Sequence, residues 1–129
     1  MPVSNQPEKR LEPIEERTYR FSLRVVKLVR ALPTDASALV LGRQLLRAAT
    51  SVGANVEEAI GAPSKRDFTN KMAIALKEAR ETHCWLCLIR DSGAFDEGRM
   101  APIVQEALEI KKILSATVRT SRENLDRHP

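Results

Sequence analysis

Two groups of side chains in this sequence are of types that can do chemistry. The first is His83, Cys84 and Cys87, which carry donor atoms for a metal or redox site. A redox Cys-x-x-Cys pair works when its first thiolate lies at a helix N-terminus, but this pair falls near the end of a predicted helix. A structural zinc site needs four ligands, and the other histidine, His128, lies in the tail. We therefore interpret both cysteines as packing residues and predict no metal site.

The second group is four glutamates that could form a carboxylate-bridged two-metal site: Glu57, Glu58, Glu78 and Glu81. Such sites take a Glu-x-x-His motif from each of two helices, and neither histidine here follows a glutamate at that spacing. We expect the carboxylates to pair with arginines, because a buried charge needs a partner. The sequence also lacks a paired nucleophile and base and a glycine-rich phosphate loop. We predict no catalysis and no cofactor.

The first predicted helix carries the most concentrated charge, in a basic stripe that comprises Arg17, Arg20, Arg24, Lys27 and Arg30. The first four follow one another at intervals of three and four residues, which places them on one flank of a helix. They could bind the phosphates of RNA or DNA, or they could be an ordinary solvated face with charge partners on neighbouring helices. The net charge of +4 permits a nucleic-acid partner, whereas an aromatic content of 4% argues against a base-stacking surface.

A row of three apolar side chains on the same helix is a candidate contact between subunits. Tyr19, Leu23 and Val26 lie on the side opposite much of the predicted core face. An exposed apolar row beside basic residues is typical of an association surface. The alternative is that a monomer covers the row by local packing.

The elements that must position these side chains are helices, because apolar residues recur at intervals of three and four residues. This pattern predicts helices over about residues 14–31, 35–60, 64–91 and 96–124, with a flexible arm at 1–13, a bundle at 14–124 and a tail at 125–129. Thr34 or Ser37, then Ser64 and Asp96, are candidate helix caps. Short connections favour an all-α, up-down-up-down antiparallel four-helix bundle in which small residues make helices 2 and 3 the closest pair.

The cellular compartment is predicted from what the sequence lacks. We identify no secretory signal and no apolar run long enough for a membrane span. Two cysteines are too few for the disulfide framework of a small secreted domain. We therefore expect a soluble cytoplasmic protein with no membrane partner.

The middle of the chain resembles a known motif. The pattern comprises an Arg, a Ser-Val followed by Asn and an acidic-small pair, then Ser and Phe, and an Ala-Leu-Lys-Glu run that ends in Glu-Thr and Trp-Leu. It is carried by Arg47, Ser51, Val52, Asn55, Glu58, Ala59, Ser64, Phe68, Ala75, Leu76, Lys77, Glu78, Glu81, Thr82, Trp85 and Leu86. It is similar to the signature of a bacterial four-helix bundle family whose members include proteins encoded in intervening sequences of 23S ribosomal RNA genes. One departure is Cys84, where the family often has an aromatic residue.

This resemblance implies a homopentamer with no known enzymatic activity. Accessory variability proteins of diversity-generating retroelements look similar in fold, and they are basic pentamers that engage a reverse transcriptase and nucleic acid. The resemblance therefore favours a non-catalytic scaffold whose partners are further copies of the chain, RNA or DNA, or an enzyme such as a reverse transcriptase. The alternative is a purely structural or protein-binding oligomer with no nucleic-acid role.

Seven positions of the motif are interpreted as a structural polar contact between helices: Arg47, Ser51, Asn55, Glu58, Glu78, Glu81 and Trp85. Asn55 is expected to form buried hydrogen bonds toward helix 3, and Glu58 to pair with an arginine such as Arg47 or Arg80. Gly53 and Ala54 are expected to permit close helix approach. We therefore predict that any binding function lies on the basic faces outside this motif.

Overall fold

Four helices make up the fold: α1 (Ile14–Arg30), α2 (Ala36–Ile60), α3 (Lys65–Asp91) and α4 (Glu97–Arg127). The computed structural model describes residues 12–128, so nearly all of the predicted N-terminal arm lies outside the described residues. Across residues 12–128 no β-strand is present, and the predicted all-α class is confirmed. The connections are short, which keeps consecutive helices adjacent.

The helix ends follow local hydrogen bonds, and two of them differ from prediction. α2 is capped by Asp35, rather than Thr34 or Ser37, because the Asp35 carboxylate accepts from the backbone N–H of Ala38 at 3.0 Å. Ser64 caps α3 as predicted and accepts from the backbone N–H of Asp67 at 3.1 Å. α4 continues to Arg127 instead of fraying near Asn124. No glycine or proline interrupts that last turn, and the N–H of His128 still donates to Asn124.

Contacts between neighbouring helices show that each consecutive pair is antiparallel. Gly53 of α2 lies beside Thr18 and Ser22 of α1, whereas Gly42 lies beside Val29, so residue numbers rise along α1 as they fall along α2. The next pair behaves alike, since Arg47 contacts Glu81 and Glu58 contacts Lys71 of α3. α3 and α4 are joined by the hydroxyls of Thr69 and Ser121 and, further along, by His83 and Lys111. The order is therefore up, down, up, down.

The core lies between the helices and is built by their inward-facing apolar rows. Among its largest fully buried side chains are Leu45, Leu86, Ile89, Met100, Ile110 and Leu114. Burial of each Leu or Ile side chain contributes about 1.5 to 3 kcal/mol, so these rows dominate the stability of the bundle. Five side chains that continue these rows at helical spacing are only half-buried, because they lie near helix ends or on the flank of the inward face: Ile14, Leu32, Leu41, Phe68 and Thr117.

Consecutive helices form the main contacts of the bundle. α2 packs most extensively on α3, as the small residues predicted, followed by α3 on α4 and α1 on α2, whereas α1 and α4 touch over a short length only. Gly53, however, faces α1: a Cβ placed on it would lie 3.5 Å from Ser22 Oγ. Ala54 is exposed. The close approach expected at Gly53 therefore belongs to the α1–α2 pair, and Ala54 does not contribute to it.

Candidate nucleic-acid interface

Arg17, the first residue of the predicted basic stripe, is bonded to two carboxylates of α4. Its Nε donates to Glu106 Oε2 and its Nη2 to Glu106 Oε1, both at 2.7 Å. Nη2 also donates to Glu109 Oε1 at 2.7 Å. The hydrogen bond with Glu106, and then that with Glu109, raise the pKa of Arg17 further above its ordinary value. At this position the structure matches the alternative in which the stripe has charge partners on a neighbouring helix.

The remaining members of the stripe lie on the solvent side of α1. Arg20 is exposed and pairs with Glu12. Arg24, Lys27 and Arg30 are exposed, and within residues 12–128 none of them makes an ion pair or a side-chain hydrogen bond. We call these three residues the basic end of α1. Their long side chains are therefore available to an anionic partner.

α4 supplies further cations, and two of its acidic residues are bonded to α1. Lys112, Arg119 and Arg122 are exposed. Lys111 is half-buried, and its Nζ lies 3.4 Å from His83 Nδ1 on α3. Glu106 and Glu109, by contrast, both pair with Arg17 of α1. These two glutamates are three residues apart on one helix face, and this spacing could have indicated that a single arginine pairs with both.

The polar motif joins α2 to α3 through Arg47. Its Nη2 donates to Glu81 Oε1 at 2.8 Å, and its Nη1 lies 3.3 Å from Glu78 Oε1. Glu78 is buried, with 8% of its surface exposed, so Arg47 is the partner that such a carboxylate needs. Trp85 is half-buried against the core, and its Nε1 has no hydrogen-bond partner within residues 12–128. The ion pairs of Arg47 therefore link α2 to α3.

Two expectations about the motif were wrong. Asn55 is half-buried and bonds within its own helix, where its Nδ2 donates to the Ser51 carbonyl at 2.8 Å and to Ser51 Oγ at 3.1 Å. Glu58 pairs with Lys71 at 2.9 Å, rather than with Arg47 or Arg80. Arg47 instead pairs with Glu78 and Glu81, which lie closer to it along the axis of the antiparallel α2–α3 pair. The axial offset between α2 and α3 thus decides which oppositely charged side chains lie close enough to pair.

Two members of the cysteine and histidine group are in contact on α3. His83 Nε2 lies 3.7 Å from Cys87 Sγ, and Cys84 is exposed. Burial, then the charges of Lys111 and Arg90, lower the pKa of His83. Among the described residues 12–128, no three His, Cys, Asp or Glu side chains are grouped so that they could hold a metal ion. Of the four glutamates considered for a two-metal site, Glu57 and Glu58 are exposed, Glu78 is buried and Glu81 is half-buried.

The apolar row of α1 is accessible over most of its length. Tyr19 is 66% exposed and Leu23 44%, whereas Val26 is half-buried. No helix within residues 12–128 has the length and apolar character needed to cross a membrane. The outer surface of α1 therefore combines an exposed apolar row with the basic end.

This arrangement of helices and motif can be compared with known proteins. A family model described as 23S rRNA-intervening sequence protein matches residues 13–116, which include α1, α2, α3 and most of α4. The chain belongs to the 23S rRNA-intervening sequence protein family. The family resemblance of the central motif is thus confirmed, and the last part of α4, residues 117–127, lies beyond the match.

A solved structure supports the same family fold. The crystal structure of a protein of unknown function from the S23 ribosomal protein family of Bacteroides thetaiotaomicron is 36% identical to this member of the 23S rRNA-intervening sequence protein family, with a TM-score of 0.76. The match covers 82% of this chain and 98% of that one. No curated protein matches the chain. This fold is therefore similar to that of a solved protein described as having unknown function.

Proposed function

We propose that this protein is a non-catalytic, self-associating scaffold that binds the phosphates of RNA or DNA through the basic end of α1. The observation that carries the proposal is that Arg24, Lys27 and Arg30 are exposed and, within residues 12–128, have no carboxylate partner. Exposed cations in one row attract a phosphate backbone without regard to base sequence. The net charge of +4 favours the same partner.

The proposed interface contains fewer residues than the basic stripe predicted from the sequence. Arg17 contributes to the α1–α4 contact, and Arg20 shares its charge with Glu12. If Arg24, Lys27 and Arg30 each neutralise one phosphate, the slope of log affinity against log salt is about −2.7 on duplex DNA. Affinity should then fall roughly fortyfold between about 50 and 200 mM salt.

The test compares two variants of equal net charge. The first variant replaces Arg24, Lys27 and Arg30 with glutamine. The second replaces three exposed cations of α2 and α3 with glutamine: Arg43, Lys77 and Arg80. Binding to fluorescent duplex RNA and duplex DNA is measured at both salt concentrations. The first variant should lose the salt-dependent affinity and the second should keep most of it. Equal losses in both variants would mean that net charge alone, and no particular face, attracts the nucleic acid.

The scaffold is proposed to be a cytoplasmic homo-oligomer, and the family resemblance favours a pentamer. The exposed Tyr19 and Leu23, with Val26, supply an apolar surface suited to contact between copies. Analytical ultracentrifugation of the whole chain measures the number of copies directly. A nucleic-acid enzyme such as a reverse transcriptase is a second candidate partner for the same basic end, since a ring of copies would repeat that surface around its axis.

A purely structural or protein-binding oligomer is the competing function. The ion pairs of Arg17 with Glu106 and Glu109 favour this function, because they show that part of the basic stripe stabilises the fold. Absence of a gel shift with RNA and with DNA at low salt would support this alternative over nucleic-acid binding. Weak phosphate binding would still appear at low salt, where screening is least.

A further inference from the structure

We propose that the segment formed by residues 1–11 binds in a groove at one end of its own bundle. The groove lies between the end of α2 and the C-terminal part of α4, and it has a volume of about 730 Å³. We call it the terminal groove. Its walls include one residue of α2, one of α3 and four of α4: Ile60, Phe68, Ala116, Thr117, Thr120 and Asn124. The basic end of α1 lies at the other end of the bundle, so this inference goes beyond the proposed function.

The terminal groove lies on the sides of α2 and α4 that face α1. On α2, Ile60 follows Gly53, which lies beside α1, by seven residues. On α4, Thr120 follows Glu109, the partner of Arg17, by eleven residues. Residues at these intervals share one face of a helix. The groove therefore continues the space that α1 occupies between α2 and α4.

α1 begins at the level where the terminal groove starts. Phe21 of α1 and Ile110 of α4 border the same small gap in the core, so they mark one level of the bundle. Seven residues from each, about 10 Å along its helix, lead to Ile14 and Thr117. Ile14 is the first residue of α1, and Thr117 lines the groove. The residues that precede α1 therefore start at this end of the bundle, close to the groove.

The length and composition of residues 1–11 suit the terminal groove. Eleven extended residues span about 36 Å, whereas the groove follows α4 over Ala116–Asn124, about 12 Å. Pro13 has φ −52° and ψ 140°, so the backbone is extended where it enters α1. Leu11 and Val3 supply apolar side chains that can cover Ile60, which is 48% exposed.

The walls of the groove also carry polar groups that suit an extended segment. Such a segment needs hydrogen-bond partners for its backbone N–H and C=O groups wherever they are buried. Thr120 and Asn124 are exposed, and their side chains make no hydrogen bond within residues 12–128. Lys65, on the rim of the groove, makes no ion pair in the described part of the chain, and Glu8 can supply the opposite charge.

Both the segment and part of its groove lie outside the family match. The match covers residues 13–116, so it includes neither residues 1–12 nor the groove wall formed by Thr117, Thr120 and Asn124. Two extensions at opposite ends of the sequence thus meet at the same end of the bundle. The sequence alone predicted a flexible arm, because the groove exists only once α2 and α4 are packed.

Disulfide formation between the segment and the groove tests the proposal. Cys84 and Cys87 are first replaced with serine, and Leu11→Cys is combined with Thr120→Cys in the full-length chain. The matched control combines Leu11→Cys with Arg122→Cys, because Arg122 is also exposed but lies on the other side of α4. We expect the groove pair to form a disulfide within one chain faster than the control pair, by on the order of tenfold or more, because binding raises the local thiol concentration.

Limited proteolysis tests the binding without any change in the segment. Trypsin cleaves after Lys9 and Arg10, and binding in the groove should protect both bonds. Thr120→Trp fills the groove and should raise the rate of cleavage there by roughly tenfold or more, because the segment is then released. Arg122→Trp should leave the rate unchanged. Mass spectrometry measures the cleavage, and circular dichroism checks that the variants keep their helices.

The outcomes decide between this inference and its alternatives. Equal rates of disulfide formation in the two cysteine pairs would overturn it, and so would an unchanged cleavage rate in Thr120→Trp. Non-reducing electrophoresis shows whether the disulfide joins one chain or two. A disulfide between two chains would also overturn the inference, because the groove would then hold the segment of a second copy. Phosphate binding by the basic end of α1 is decided separately by the glutamine variants.

Discussion

Arg17 of α1 and Glu106 of α4 are joined by two hydrogen bonds of 2.7 Å across 89 positions of sequence. This fork-to-fork pair is the geometry in which an arginine and a carboxylate interact most strongly. The two side chains are only 20% and 19% exposed, so water screens the pair less than a surface ion pair. Because α1 and α4 otherwise touch over a short length, the pair is the main polar link that closes the bundle.

The first prediction concerns this link. Arg17→Gln should lower the free energy of unfolding by about 1.5 to 3 kcal/mol, because Glu106 and Glu109 lose their charged donor. Arg24→Gln, on the same helix, should change it by less than about 0.5 kcal/mol. Urea denaturation followed by circular dichroism measures both. Equal stability of the two variants would show that the α1–α4 link contributes little.

The second prediction concerns the buried carboxylate of Glu78. Arg47→Met should destabilise the bundle by about 1 to 3 kcal/mol. The reason is that Glu78, of which only 8% is exposed, then lacks its charged partner. Lys71→Met removes the more exposed pair with Glu58 and should cost about 0 to 1 kcal/mol. Thermal and urea denaturation give the comparison. A larger loss in Lys71→Met would reverse the order that burial predicts.

The third prediction concerns two glycines within α2. Gly53→Ala should stabilise the protein by about 0.5 to 1 kcal/mol, since alanine favours a helix and its Cβ would lie 3.5 Å from Ser22 Oγ, an ordinary contact. Gly42→Ala should gain less or lose stability, because its Cβ would lie 2.8 Å from Leu32 Cδ1. Melting temperatures rank the two variants. A destabilised Gly53→Ala would mean that the α1–α2 contact is tighter than this distance indicates.

The fourth prediction concerns the dependence of stability on pH. Burial, with Lys111 and Arg90, lowers the pKa of His83, so the unfolded chain takes up a proton on this residue at a higher pH than the folded chain does. The contribution of His83 to stability is therefore complete above about pH 6.5, the ordinary pKa, and is lost as pH falls toward the lowered folded value. His83→Gln should remove this contribution to the slope. Urea titrations between about pH 5 and 7.5 compare the variant with the parent chain.

Much of the fold can be predicted from local spacing, for a physical reason. A helix places residues three and four apart on one face, so the row that includes Phe21, Val25 and Leu28 could be identified as core before its neighbours were known. Ser64 could be identified as a cap from the residues that follow it. The family motif could also be read directly, because all its members lie within one continuous stretch.

The charge partners could not be predicted in this way. Whether Glu58 meets Lys71 or Arg47 depends on the vertical offset of α2 against α3, and no residue pattern within either helix specifies that offset. The helix that approaches Gly53 could not be predicted for a related reason. A small residue permits close approach, but the neighbour that approaches is set by the packing of the whole bundle.

The sequence by itself determined the four helices, their inward faces and the family, because these depend on residue types at short spacing. Only the tertiary structure decided which basic residues of α1 remain available. It brings Glu106 and Glu109 to Arg17 and leaves Arg24, Lys27 and Arg30 without a partner among residues 12–128. The physical reason is that a charge pairs strongly only with an opposite charge a few ångströms away. The separation of the two charges is set by the packing of helices that lie far apart in sequence.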